Sequence, residues 1–291
     1  MKHIITTVAV VLLTTTSHAQ SQQQINNNLE KMEITSEISN KDKAKALITS
    51  LETGDKSTMA YINPTHYTQH NLAVADGLKG FGDVLHHAPE GGFKANVVRA
   101  FQDGNYAITH TEYDFFGPKI GFDIFKFENG QIIEHWDNFS ELATTNPSGR
   151  TQTDGVTAVT DLDKTAENKA FVKDFVNTVL IDGEFDKMYN YFDGDNYIQH
   201  NTRIGDGVSG LGKALEDMAK QGITMVINKN HMVLGEGNFV LTVSEGTFAG
   251  IPTSFYDLFR IENGKIAEHW DTIETILPES ERKNNNGKFN F

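Results

Sequence analysis

The chain has 291 residues, no cysteine and a formal net charge of −14. This length is enough for two ordinary domains, each with its own core. The negative charge argues against nucleic acid and anionic membrane surfaces as partners, because both attract basic patches. Without cysteine, we expect no lipoprotein anchor, no disulfide bond and no thiol catalysis.

The first residues have the pattern of a secretory signal peptide. A basic start precedes a mostly apolar run over residues 4–13, and Ala19 ends a Ser-His-Ala stretch that fits a cleavage site. The apolar run is too short to span a membrane. We therefore expect residues 1–19 to be removed and the protein to be periplasmic or secreted, with no membrane anchor.

A ten-residue stretch occurs twice in the chain with eight of its ten residues unchanged. Residues 128–137 are ENGQIIEHWD and residues 262–271 are ENGKIAEHWD, and the chain's two tryptophans lie here. Asn-Gly supplies the positive φ angles of a type I′ turn, so each stretch predicts a hairpin. A Tyr-x-Gln-His-Asn string, at residues 67–71 and 197–201, also recurs.

The repetition predicts a duplicated domain. Each copy has the pattern of a helix, a short strand, a second helix and four antiparallel strands. Helices over a curved antiparallel sheet form an α+β cone that encloses a pocket, so we expect two tandem cone-shaped domains. A linker of about 20 residues raises the effective concentration of one copy near the other, so we also expect the two domains to pair within the chain.

The predicted boundaries follow the composition. A Gln-, Asn- and Ser-rich stretch predicts a flexible leader, and a Thr-, Ser- and Gly-rich stretch predicts a linker. The predicted parts of the chain are a signal peptide (1–19), a leader (20–40), copy one (41–143), a linker (144–163), copy two (164–280) and a C-terminal tail (281–291).

Each copy resembles the SnoaL-like family of the nuclear-transport-factor-2-like superfamily at Gln-His-Asn, Asp-Gly, Phe-Asp-Ile-Phe and the repeated ten-residue stretch. The resemblance is greatest to the predicted SnoaL-like aldol-condensation enzymes, whose ending resembles the tail here. In the polyketide cyclases of this family an aspartate on the closing strands acts as acid or base, without metal or cofactor. The resemblance therefore implies that Asp123 or Asp137 in copy one, and Asp257 or Asp271 in copy two, has this role.

Strand alternation separates the candidate residues by face. Asp123 shares a face with large apolar side chains, which would raise its pKa by desolvation and suit it to general acid or base work. Alternatively, Asp123 is a structural acceptor for His70 or a tyrosine. On the next strand His135 and Asp137 share one face and Glu134 and Trp136 the other, and the pattern leaves open which face lines the pocket.

The histidines suggest a difference between the copies. We expect His70, His110 and Asp123 to gather in copy one, whereas Val243 occupies the position of His110 in copy two. Copy one would then hold the more reactive site and copy two would serve binding or structure. If position 110 instead faces away from the pocket, this exchange has no such meaning. Imidazoles and a carboxylate could also ligate zinc, but no short spacing such as His-x3-His occurs, so we expect no metal.

These patterns predict a pocket for a small, largely apolar carbonyl compound. Asp123 would abstract a proton next to the carbonyl, and His70 or His110 would stabilise the enolate oxygen. The alternatives are a binding protein without chemistry and a scaffold that serves assembly. The candidate catalytic residues are Asp123, His70, His110, Asp137, Asp257 and His200. The candidate binding residues are Tyr67, Phe125, Glu134, His135, Trp136, Tyr197, Phe259, Glu268, His269 and Trp270, with a structural cross-strand ion pair as the alternative role of Glu134.

Overall fold

Two five-stranded sheets with helices on one face make up the computed structural model, which describes residues 38–291. Residues 40–291 form one compact unit. The expected signal peptide and most of the expected leader lie outside the described residues. Among the described residues, no helix has the length and apolar character needed to cross a bilayer.

Both copies have the same order of elements. Copy one consists of α1 (Asn40–Thr53), a 3₁₀ turn (Lys56–Tyr61), β1 (Thr68–Gln69), α2 (Gly77–His86), β2 (Lys94–Asp103), β3 (Tyr106–Asp114), β4 (Pro118–Glu128) and β5 (Gln131–Glu141). Copy two consists of α3 (Thr165–Phe175) with a π-helical continuation (Val176–Ile181), a 3₁₀ turn (Phe185–Asn190), β6 (Ile198–Gln199), α4 (Gly207–Lys220), β7 (Met225–Glu236), β8 (Phe239–Phe248), β9 (Ile251–Glu262) and β10 (Lys265–Thr275). Short 3₁₀ turns also occur at Leu162–Lys164 and Glu279–Glu281.

The strand orders are β1-β5-β4-β3-β2 and β6-β10-β9-β8-β7. The four long strands of each sheet are antiparallel, and the short strand runs parallel to the last one. Each sheet is therefore mixed, because the short strand enters beside the last strand and runs in its direction. The predicted α+β class with two cone domains is confirmed.

The Asn-Gly turns form the predicted two-residue hairpins. Asn129 and Gly130 have φ angles of 50° and 75°, and Asn263 and Gly264 have 51° and 72°. Both turn residues must adopt positive φ in such a hairpin, which is why Asn-Gly is favoured there.

The two faces of each sheet are buried differently. On one face the first helix of each copy packs against the sheet, through residues such as Leu47 in copy one and Val172 in copy two. The opposite faces contribute to a shared apolar cluster that contains Trp136 and Trp270. Polar contacts between the copies lie beside this cluster: the Asn138 side-chain amide donates to the carbonyl oxygen of Thr272 at 2.9 Å.

One glycine on β8 distinguishes the copies. Thr109 pairs with Asp123 and Thr242 with Asp257, so Gly246 occupies in copy two the position of Tyr113 in copy one. A Cβ atom on Gly246 would lie 1.8 Å from the carbonyl oxygen of Val226. The register of β7 shifts directly after this point, and its backbone therefore leaves no room for a side chain at position 246.

We predict that Gly246→Ala lowers the free energy of unfolding by about 1–3 kcal/mol, because the added methyl group overlaps the backbone of β7. Gly212→Ala is the matched control: it lies within α4, and a Cβ atom there meets nothing within 4 Å. The control should leave stability unchanged or raise it by up to about 1 kcal/mol, since alanine is the better helix former. Urea denaturation measures both, and wild-type stability of Gly246→Ala would contradict the close approach.

Candidate functional site

Three titratable side chains meet on the helix-covered face of each sheet. In copy one, oxygen or nitrogen atoms of Asp123, His135 and Asp137 lie within 4.8 Å of one another. Strand register explains the grouping, because Asp123 is paired with Asp137 across β4 and β5 and His135 is two residues before Asp137.

Copy two repeats the arrangement with Asp257, His269 and Asp271. Gln199 holds the imidazole of His269 in place: its Oε1 accepts the backbone N–H of Asn201 at 2.9 Å and therefore acts as an acceptor for Nδ1 of His269, also at 2.9 Å. The other ring nitrogen, Nε2, lies 3.0 Å from Oδ1 of Asp257. Both nitrogens thus face acceptors, and this arrangement favours the doubly protonated imidazolium.

Two neighbouring side chains in copy two, His269 and Asp271, have raised pKa values. Burial opposes a charge on His269, but the hydrogen bond to Asp257 and the charges of Asp271 and Asp257 outweigh it and raise the pKa of His269. Burial raises the pKa of Asp271, although the His269 charge and a hydrogen bond from Asn201 act against this. A carboxyl group with a raised pKa beside an imidazolium can take up and release a proton nearer neutral pH.

In copy one, both carboxylate oxygens of Asp123, the counterpart of Asp257, have hydrogen-bond partners. The Tyr113 hydroxyl donates to Oδ2 of Asp123 at 2.6 Å, the Thr109 hydroxyl donates to the same oxygen at 3.2 Å, and Nε2 of His135 lies 3.0 Å from Oδ1. The Asp123 side chain is 3% exposed, whereas that of Asp257 is 15% exposed. Asp123 thus has the geometry of the alternative considered from the sequence, an acceptor bonded to a tyrosine.

A buried lysine further distinguishes copy one. Nζ of Lys288 lies 3.8 Å from Oδ1 of Asp137 and also pairs with Glu274. Burial raises the pKa of Asp137, and the charge of Lys288 opposes this rise. Lys288 follows Gly287 after the last strand of copy two, and Arg150 follows Gly149 after the last strand of copy one. Arg150 pairs with Asp206 of copy two.

The cavities differ in size accordingly. The cavity over Asp123, His135 and Asp137 has a volume of about 60 Å³. The cavity of copy two has about 690 Å³ and extends over Asp271. Its walls include Leu211, Leu215, Met218, Ile223 and Ile273, and also Arg203. The loss of the Tyr113 ring at Gly246 removes a large group from the equivalent position on β8.

His70 and His200 lie away from these sites. Each follows the glutamine of the short strand and therefore points to the other face of the sheet. Nε2 of His70 lies 3.1 Å from Glu134, and Nε2 of His200 lies 2.9 Å from Glu268. The prediction that His70 gathers with Asp123 is therefore wrong in position.

His110 also faces away from Asp123. Its neighbour Thr109 bonds Asp123, so alternation directs His110 to the shared cluster, where it stacks on Phe122 at 4.4 Å and its Nδ1 accepts from Arg99 at 3.2 Å. Burial and the Arg99 charge lower the pKa of His110 well below its usual value. Val243 is fully buried in the same cluster. The His-to-Val exchange therefore changes the packing between the sheets and leaves the pocket face unaffected.

The predicted binding residues divide between the two faces. Tyr67, Phe125 and His135 line the copy-one cavity, while Tyr197, Phe259 and His269 lie on the equivalent face of copy two. The remaining four lie on the opposite face, and they are Glu134, Trp136, Glu268 and Trp270. The predicted cross-strand ion pair of Glu134 is present, with Lys126 at 2.7 Å; Glu268 pairs with Arg260 at 2.7 Å.

Sequence reasoning missed three contributors to the sites. Gln69 and Gln199 hold the imidazoles, and their recurrence in Gln-His-Asn was a signal for this role. Tyr113 closes one site, and its replacement by Gly246 was visible at the same offset that relates His110 to Val243.

Carboxylate and imidazole atoms are also metal ligands. In both copies, however, the His Nε2 and Asp Oδ1 atoms are at hydrogen-bond distance from each other.

No protein-family model matches this chain, and no curated protein matches it. Solved structures align with little more than a third of it. An NTF2-like protein of unknown function from Cytophaga hutchinsonii is 17% identical over 36% of this chain and 94% of its own, with a TM-score of 0.32. A SnoaL-like polyketide cyclase from Agrobacterium tumefaciens is 11% identical over 37% and 91%, with a TM-score of 0.30. An LEH-like epoxide hydrolase from M. tuberculosis is 23% identical over 38% and 85%, with a TM-score of 0.29. At these scores we draw no functional conclusion from the likeness.

We predict that Asp257→Asn lowers the pKa of His269, because the variant loses a charged acceptor on Nε2. Proton NMR titration of the ring, assigned with His269→Gln, measures the pKa. Since the folded-state pKa is raised, the stabilisation is fully present below the unfolded-state pKa and is lost as the pH rises through the folded-state pKa. The stability difference between wild type and Asp257→Asn should shrink over that range. Asp186→Asn, at an exposed position, should leave the pKa unchanged; an equal pKa in Asp257→Asn would contradict the pairing.

Proposed function

We propose that copy two binds a small, largely apolar carbonyl compound and moves a proton on it without a metal or cofactor. The observation that carries this proposal is a cavity of about 690 Å³ that Asp271 lines, with atoms of Asp257 and His269 within 4.8 Å of the Asp271 carboxylate. Small-molecule sites have such volumes and are mostly apolar, with a few polar groups that fix the orientation of the ligand. The site supports acid and base chemistry of the aldol, cyclase or isomerase type.

Asp271 is the base in this proposal. Its carboxylate takes the proton from the carbon next to the carbonyl, so the C–H bond breaks, an O–H bond forms on Asp271, and an enolate remains. In an isomerase the same proton returns to another carbon. In an aldol cyclisation the enolate carbon attacks a second carbonyl of the ligand, and the proton goes to the new alkoxide. Either sequence leaves Asp271 ionised again.

Two neighbours support this role. The imidazolium of His269, bonded to Asp257 and Gln199, places a positive charge beside Asp271 and limits the rise of its pKa. Arg203 on the cavity wall offers guanidinium N–H groups to an oxygen that gains negative charge in the transition state.

We propose a structural role for copy one. Its cavity of about 60 Å³ is less than a tenth as large as that of copy two, and both carboxylate oxygens of Asp123 have hydrogen-bond partners. The expectation of a more reactive copy one depended on His110 beside Asp123. Because the ring lies on the other face, the reverse assignment is the better supported one.

Proton exchange on benzoylacetone tests the proposal, because this β-diketone is largely apolar and its CH₂ protons are easily followed by NMR in D₂O. The protein should accelerate exchange, and Asp271→Asn should slow it by about 100-fold or more, as expected for loss of a general base. Asp137→Asn is the matched control in copy one and should change the rate by less than about twofold.

Three outcomes contradict the proposal. Equal losses in Asp271→Asn and Asp137→Asn would remove the assignment to copy two. Binding of the diketone without exchange would favour the alternative of a binding protein without chemistry. Neither binding nor exchange would favour a scaffold.

We propose that the protein is exported and cleaved after Ala19, on the basis of the charged start and apolar run described above. Mass spectrometry of protein purified from the periplasm or medium should find Gln20 as the first residue. Exported protein that retains Met1 would contradict cleavage.

We propose that the two copies arose by duplication of one SnoaL-like domain of the aldol-condensation subgroup. Their identical strand orders and repeated ten-residue stretch support this origin. A sequence profile built from single-domain members of that subgroup should align with both copies. Alignment with only one copy would contradict duplication.

We further propose that the copies pair as a pseudo-symmetric unit in solution. The shared apolar cluster and the Asn138–Thr272 hydrogen bonds support this pairing. Small-angle X-ray scattering should give the profile of a single compact particle. A profile of two separated, independently moving bodies would contradict it.

A further inference from the structure

Two segments that follow the last strands of the copies have the same pattern. We call residues 146–154 arm one and residues 284–291 arm two. Each begins Asn-x-x-Gly followed by a basic residue, at 146–150 and 284–288. Arm one follows copy one and arm two follows copy two, yet each arm makes several hydrogen bonds to the other copy. Contacts to the arm's own copy are also present: Arg99 donates to the carbonyl oxygens of Thr153 and Asp154, and Lys288 pairs with Glu274.

The first residue of arm two, Asn284, binds copy one. The side-chain amide of Asn284 donates to the carbonyl oxygens of Asn71 at 2.7 Å and Val74 at 2.9 Å. Arm one does the same on copy two: the amide of Asn146 donates to the carbonyl oxygens of Gln199 at 2.6 Å and Ile204 at 2.9 Å.

The middle of each arm caps a buried histidine. Nδ1 of His70 lies 2.7 Å from the carbonyl oxygen of Gly287, and Nδ1 of His200 lies 2.7 Å from that of Thr151. A ring nitrogen at this distance from a carbonyl oxygen must be the donor. The arms thereby set the ring orientation that places each Nε2 against Glu134 or Glu268.

The far end of each arm accepts from a tryptophan. The indole Nε1–H of Trp136 donates to the carbonyl oxygen of Asn290, and that of Trp270 donates to the carbonyl oxygen of Asp154, both at 3.0 Å. Phe291 also stacks on Trp136 with ring centroids 4.9 Å apart. With the arms in place, His70, His200 and both tryptophans are at most 3% exposed, so the arms both shield these side chains from water and accept their N–H groups.

We propose that each copy carries a binding site for a short peptide of the form Asn-x-x-Gly-basic, and that the chain fills both sites reciprocally with its own arms. The site on copy one consists of the Asn71 and Val74 carbonyls, His70 and Trp136. The site on copy two consists of the Gln199 and Ile204 carbonyls, His200 and Trp270. The preferred occupant of each is the arm of the opposite copy, and an added peptide of the same sequence is the occupant in trans.

The two indoles report on the two sites separately, because the chain has two tryptophans and one lies in each site. In ¹H–¹⁵N spectra of the full chain, Asn284→Ala should shift the Trp136 indole signal and speed its hydrogen exchange at least about tenfold, with Trp270 unchanged. Asn146→Ala should shift the Trp270 indole signal and speed its exchange, with Trp136 unchanged. Trp136→Phe assigns the signals.

A second matched pair guards against misfolding of the asparagine variants. Gly287 and Gly149 have φ angles of 82° and 77°, so alanine strains arm two or arm one while the Asn284 and Asn146 side chains are retained. Gly287→Ala should affect Trp136 and Gly149→Ala should affect Trp270. If any arm substitution affects the indole of its own copy, both indoles equally or neither, the reciprocal arrangement is wrong.

Rescue in trans tests whether the site recognises a peptide. A synthetic peptide of residues 282–291, added at millimolar concentration to the Asn284→Ala chain, should restore slow exchange of the Trp136 indole. The same peptide with Asn284→Ala should fail. If the wild-type peptide also fails, or both peptides succeed, the arm is held by its attachment or by nonspecific contact, and the peptide site is refuted.

Discussion

The two-residue alternation of the last strand in each sheet is the constraint on which the other features depend. On β5, His135 and Asp137 face the helices, while Glu134 and Trp136 face the second sheet. One strand therefore supplies an imidazole and a carboxylate to one side and an anchor for an arm to the other. A slip of one residue in register would exchange the two sets and bury charges among apolar groups on both faces.

Much of the fold could be predicted from the sequence because it depends on local patterns. Asn-Gly required a two-residue hairpin, and apolar residues at helical spacing before Gly54 indicated a helix that the structure has at Asn40–Thr53. The site was harder to predict from the sequence. Alternation separated Asp137 from Trp136, but the choice of the pocket-facing side depends on where the helices pack. That choice is a tertiary property, and it moved His70 and His110 away from Asp123.

The difference between the copies illustrates the same limit. The exchange of His110 for Val243 suggested a difference in reactivity because an imidazole can carry chemistry, yet both residues lie between the sheets. The exchange of Tyr113 for Gly246 concerns the helix-covered face, because the ring that donates to Asp123 in copy one is absent at the matching position of β8. Lys288 adds to the difference from a distance in sequence: it approaches Asp137 from the end of the chain, a contact that no local pattern indicates.

The course of the arms also determines what would follow a break in the chain. A proteolytic cut within residues 155–163 separates the two copies covalently, but each fragment keeps the arm that the other one holds. The products would remain clasped as a heterodimer, and separation would require both arms to leave. Linker continuity and mechanical attachment are thus different properties in this molecule, and the second outlasts the first.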